Sequence, residues 1–99
     1  MGEACARALA PLGHSLVLGA RNSDKLKKLQ KELSKNASGT IVVKTVDVQR
    51  TASVKAFTSF GVKSLGSLHV VLACAGLARG LEPIESITDD ELEEMVRTN

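Results

Sequence analysis

Leu68-His69-Val70-Val71-Leu72-Ala73-Cys74-Ala75-Gly76 is the stretch whose reading decides the fold. It is a short, almost uninterrupted apolar run that ends in small residues and glycine. A strand buried on both faces between two helical layers has this composition, whereas a half-exposed strand alternates apolar with polar. The run therefore predicts a parallel strand, and its glycine end is where a ligand can approach the backbone.

Working outward from this run, helical and extended segments alternate. Residues Gly2 to Leu12 place Ala4, Cys5, Ala8, Leu9 and Leu12 on roughly one helical face, with Pro11 loosening the last turn and Gly13 free to take positive φ at the helix end. His14 to Ala20 reads as a strand with Ser15-Leu16-Val17-Leu18 at its centre. Ser23 to Asn36 carries Leu26, Leu29 and Leu33 on one stripe, and Lys25, Lys27, Lys28, Lys31 and Lys35 surround it, so it reads as an amphipathic helix capped by Asn22 or Ser23.

Thr40 to Val48 is rich in β-branched residues and reads as a strand. Thr51 to Leu65 repeats Val54, Phe57, Val62 and Leu65 at helical spacing, weakened by Gly61. Leu77 to Ile87 reads as a loop, and Thr88-Asp89-Asp90-Glu91 has the form of a capping box ahead of a last helix striped with Leu92, Met95 and Val96. The order helix, strand, helix, strand, helix, strand, helix predicts an α/β fold. It is a partial Rossmann-like, doubly wound parallel sheet of about three strands and four helices over residues 1–99.

With 99 residues and net charge +2, the chain has the size of one small domain and too little charge to imply a nucleic-acid partner. Lys and Arg are concentrated before residue 67 and Asp and Glu after it. That asymmetry reads either as solvated helix faces or as a basic rim facing an anionic ligand. Cys5 and Cys74 match no metal spacing and read as reduced, small apolar residues; no metal site is expected. No apolar segment is long enough to span a bilayer, and no signal-peptide layout opens the chain, so a cytoplasmic location is expected. His14 and His69 stand without a placed carboxylate or serine and take no role.

Val71-Leu72-Ala73-Cys74-Ala75-Gly76 resembles the fourth strand of the short-chain dehydrogenase/reductases, with Ala73-Cys74-Ala75-Gly76 in the place of that family's Asn-Asn-Ala-Gly. The resemblance covers the whole chain. Met1-Gly2-Glu3-Ala4 is similar to the end of the family's Thr-Gly-x-x-x-Gly-x-Gly loop, and it implies that Gly2 and the helix after it meet the cofactor pyrophosphate. Ala20-Arg21 is similar to members that take NADP rather than NAD, which implies an Arg21 guanidinium paired with the 2′-phosphate. Asp47-Val48 resembles the pair that holds the adenine; a carboxylate at a helix entrance is the equal alternative. The resemblance further implies that Cys74, Ala75 and Gly76 line the nicotinamide-ribose side through their backbone, and that Asn99 stands in the place of a catalytic asparagine, here at a frayed terminus.

The same resemblance implies hydride transfer between a nicotinamide cofactor and a small-molecule carbonyl or alcohol. That reaction needs a tyrosine and a lysine four residues on, and the sequence contains no tyrosine. The expectation is thus an incomplete oxidoreductase, lacking the first strand and inactive as an isolated chain. The alternative is a non-catalytic module that binds nucleotide weakly or pairs with a protein partner, a second copy included. The absent first strand leaves a gap on the order of 10 Å, unless the strand at Leu68 pairs directly with the one at Ser15. Direct pairing is the expected arrangement.

Overall fold

The computed structural model describes residues 1–77 and 83–99. Helix α1 (Gly2–Leu9) runs into a 3₁₀ turn at Ala10–Leu12, then strand β1 (Leu16–Ala20), helix α2 (Ser23–Ser34), strand β2 (Ile41–Thr45), helix α3 (Thr51–Leu65), a 3₁₀ turn at Ile84–Ser86 and helix α4 (Asp89–Thr98). The α1 helix tightens where Pro11 removes an N–H donor, and Gly13 closes the turn at φ 88°. Asn22, not Ser23, caps α2, its side chain accepting from the Lys25 N–H at 3.1 Å.

β1 and β2 pair in parallel, Leu16 opposite Ile41 through Ala20 opposite Thr45. The ladder starts with the Leu16 N–H donating to the Thr40 carbonyl (2.8 Å) and continues past β2 with the Val46 N–H donating to the Ala20 carbonyl (3.0 Å). Side chains of successive residues point to opposite faces of the pair. Leu16, Leu18 and Ile41 pack into an aliphatic core with Ala6, Ala10, Leu29, Leu33 and Ala37 of the α1 and α2 layer. Val17 lies against α3 at Gly61, and the Lys44 ammonium sits 5.4 Å from the centre of the Phe60 ring. Helices thus cover both faces, the layering of a doubly wound α/β fold.

Two apolar stripes differ from those read in the sequence. Over α1 and the 3₁₀ turn that follows it the buried residues are Ala6 and Ala10, with Cys5 and Leu9 half-buried, whereas Ala4, Ala8 and Leu12 are exposed. Alanines at 4, 6, 8 and 10 carry no helical period, and the bulk of Leu16, Leu29 and Leu33 around the core selects which pair goes inside. On α3, Val54 and Val62 face outward, and the inner stripe runs through Phe57, Phe60, Gly61 and Leu65. Gly61 is the seam of the packing: a Cβ there would lie 3.3 Å from Val17 Cγ2 and 3.5 Å from Leu68 Cδ1.

The stretch from Leu68 to Gly76 forms no strand. It makes no ladder with β1, and the sheet has two strands among the described residues. Both the third strand and its direct pairing with the strand at Ser15 are thereby corrected. Leu68 reaches the Gly61 seam, but Val70, Val71 and Leu72 are 76%, 80% and 54% exposed. Apolar composition suits a run to a buried strand, yet a strand exists only where a neighbour supplies the alternate donors and acceptors. Residues 78–82 of the Leu77 to Ile87 loop lie outside the described residues, and its described part holds the 3₁₀ turn.

Two outcomes test this packing. A Cβ at Gly39 would fall 2.5 Å from the His14 carbonyl oxygen, where backbone cannot yield. Gly39→Ala should therefore lower stability by about 1–3 kcal/mol, read as a fall in the urea midpoint; an unchanged midpoint would contradict the close approach. Arg7 ties α1 to α2 by donating to Glu32 at 2.6 Å, and this hydrogen bond chiefly holds the Glu32 carboxyl below its ordinary value of 4.5. A lowered carboxyl contributes stability above its ordinary value and loses it as pH falls through the lowered one. The midpoint difference between wild type and Glu32→Gln should accordingly be small near neutrality and vanish at acid pH, as an exposed pair requires.

Candidate functional site

The C-terminal ends of β1 and β2 open into a shallow depression of about 240 Å³ lined by Arg21, Thr45, Val46, Asp47 and Ser53. Arg21 follows the last residue of β1, is exposed, and makes no ion pair among the described residues. Asp47 is half-buried in the turn that carries the chain into α3. Its N–H donates to Ser53 Oγ (2.9 Å), its Oδ1 accepts from the Gln49 N–H (3.0 Å), and its carbonyl accepts from the Arg50 N–H (3.1 Å). The carboxylate thus shapes the helix entrance, as Asp does at the first position of a turn. Oδ2 has no hydrogen-bond partner among the described residues. Val48 follows in the same turn and is exposed.

From this turn a chain of contacts runs to the other anticipated residues. Gln49 Nε2 donates to Thr98 Oγ1 at 2.9 Å, which ties the turn to the end of α4. Next to it, Asn99 Oδ1 accepts from the Leu77 N–H (2.7 Å), and Asn99 Nδ2 donates to the Leu77 carbonyl (2.8 Å). Gly76 lies under that amide: a Cβ there would be 3.7 Å from Asn99 Oδ1. Two residues back, Cys74 packs on Gly2, whose added Cβ would meet Cys74 Cβ at 3.2 Å. Gly2 opens α1, where the first intrahelical bond is Cys5 N–H to the Met1 carbonyl and Met1 supplies no side-chain cap. The N–H groups of the first turn therefore have no acceptor within the helix.

Asn99 corrects one expectation. Its own N–H donates to the Met95 carbonyl at 2.9 Å, and the helix it ends is held at its start by a complete capping box between Thr88 and Glu91. The residue is pinned, not frayed, and its side-chain amide is occupied by the Leu77 backbone. Ser53, Gln49, Thr98 and Leu77 are the residues in these contacts that were not anticipated. Ser53 has a local signal, since it stands at the third position of α3, where side chains reach back to the helix entrance. The Gln49 to Thr98 bond has none, because it spans half the chain.

The family model described as short chain dehydrogenase matches residues 1–99. The chain belongs to that family. An uncharacterized oxidoreductase of Listeria monocytogenes is 30% identical over 99 residues, which are 100% of this chain and 39% of that protein. The NADP-dependent 3-hydroxy acid dehydrogenase of Salmonella typhi is 29% identical over 98 residues, 99% of this chain and 38% of its own. Among solved structures, an alcohol dehydrogenase from Thermococcus sibiricus complexed with 5-hydroxy-NADP matches with a TM-score of 0.92 and 36% identity, over 98% of this chain and 41% of that one. The chain thus spans about two fifths of the length of each of these three proteins.

Within this short-chain dehydrogenase chain, the paired bonds between Asn99 and Leu77 should govern local order around Gly76. In Asn99→Ala, hydrogen exchange at the Leu77 amide should speed up by roughly 10-fold or more, as loss of a hydrogen-bonded anchor implies, while exchange within α2 stays unchanged. Equal Leu77 rates in the two proteins would remove the clamp.

Proposed function

We propose that this chain supplies adenosine, pyrophosphate and nicotinamide-ribose contacts of an NADP(H) site in a cytoplasmic short-chain oxidoreductase that acts on a small-molecule carbonyl or alcohol. The observation that carries the proposal is the shared depression: a cationic Arg21 without an ion-pair partner among the described residues borders the same 240 Å³ as Asp47, at the carboxyl ends of two parallel strands. That is where open α/β sheets take their ligands. The residues fit the cofactor in kind. Arg21 offers a planar fork for the 2′-phosphate. Asp47 retains Oδ2 for an adenine amino group, and Val48 offers an apolar side chain to the ring. At α1 the unpaired N–H groups and the absence of a side chain at Gly2 suit a pyrophosphate.

When bound, the nicotinamide supplies the hydride donor or acceptor. On this reading Cys74, Ala75 and Gly76 orient the nicotinamide ribose through backbone groups, and Asn99 holds that backbone through Leu77. Asn99 thereby acts as a positioning residue. No tyrosine is present, so the 99 residues alone do not deliver the proton that carbonyl reduction needs.

A second reading, a non-catalytic module that pairs with another chain, is favoured by the exposed apolar run Val70, Val71 and Leu72. Calorimetric titration separates the two. NADPH should bind more tightly than NADH, and Arg21→Ala should weaken NADPH by about 10-fold to 100-fold, the worth of a charge-assisted phosphate contact, with NADH unaffected. Tighter binding of NADH would overturn the role of Arg21. No heat from either nucleotide at millimolar concentration would leave the pairing module.

A further inference from the structure

Cys5 and Cys74 belong to two segments that the fold presses together. Cys74 packs on Gly2, and Cys5 lies three residues further along α1, a spacing that puts positions 2 and 5 on one side of the helix with Cβ atoms about 5–6 Å apart. Both thiols are free and half-buried, so both are within reach of a small reagent. The segment that carries Cys74 makes no strand ladder among the described residues and is anchored at Leu77 by Asn99. Disulfide geometry asks for Cβ atoms about 3.5–4.5 Å apart. Cys74 Cβ stands 3.2 Å and its Sγ 3.9 Å from the Cβ position of Gly2, which lies about one helical turn before Cys5.

We propose that Cys5 and Cys74 form a reversible intrachain disulfide, an oxidation site that staples the stretch from Leu68 to Gly76 to the first turn of α1. The oxidant is a low-molecular-weight disulfide such as oxidised glutathione. One protein thiolate attacks a sulfur of that disulfide, its S–S bond breaks, and one glutathione thiolate leaves. The second protein thiolate then attacks the protein sulfur of the mixed disulfide and expels the other glutathione. Two electrons pass from the protein thiols to the reagent, and the two protons lost by those thiols are taken up by the released glutathione thiolates. The staple tethers residues far apart in sequence, a constraint felt mainly by the unfolded chain.

The 99-residue chain is equilibrated in buffers of increasing oxidised-to-reduced glutathione ratio, quenched with N-ethylmaleimide, weighed intact and digested without reduction. The expected product is a monomer that carries neither maleimide nor glutathione and yields tryptic peptides 1–7 and 64–79 joined by a disulfide. Its urea midpoint should lie above that of the reduced chain. Cys5→Ser and Cys74→Ser should each take up a single glutathione instead, with no rise in midpoint. Two glutathiones on the wild-type chain, a disulfide-linked dimer as the main product, or a joined product with a lowered midpoint would each overturn the proposal.

Discussion

The structure rests on the parallel ladder between β1 and β2. A two-stranded sheet is marginal by itself in water, and this one persists because each strand uses both of its faces. Leu16, Leu18 and Ile41 go down into the alanine and leucine layer of α1 and α2, while Val17 and Lys44 meet α3. Burial at about 25 cal/mol per Å² of apolar surface has to offset the ordering of the chain, and the small core leaves little surplus. Close approach matters accordingly. Ala6 and Ala10 let α1 settle on Ile41, and Gly61 lets α3 settle on Val17.

Because the ladder is parallel, both strands end on the same side, and the turns after them deliver Arg21 and Asp47 to one depression. Further contacts lie beyond it: Asp47 to Gln49, Gln49 to Thr98, and Asn99 to Leu77 are joined by short hydrogen bonds, and Cys74 packs on Gly2. α4 contributes through these contacts, although none of its residues is fully buried. Its capping box and its last-turn bonds to distant backbone do the work that core packing does for α2.

Local signals in the sequence were sufficient wherever the deciding interaction is local. The Leu26, Leu29 and Leu33 stripe, the positive φ at Gly13, the Thr88 and Glu91 capping box and the span of α3 all follow from side chains within a few residues of one another. The run at Leu68 shows the limit. Its composition states that it could be buried between layers, but whether it joins a sheet depends on a neighbouring strand that no local pattern reports, and here β1 pairs only with β2 among the described residues. At the site, Arg21 and Asp47 were singled out by resemblance to a known family, and the fold brings both to one depression. The Gln49 to Thr98 bond and the double bond of Asn99 to Leu77 were not legible, since each joins segments far apart in sequence.

Residue-resolved hydrogen exchange of the chain tests the central claim most directly. The amides of Leu16–Ala20 and Ile41–Thr45 that bridge the two strands should be the slowest in the protein, exchanging only with global unfolding, while Val70, Val71 and Leu72 should exchange at rates near those of an unstructured peptide. Strong protection at Val70–Leu72 matching that of β1 would contradict the account, because it would place that run in a ladder.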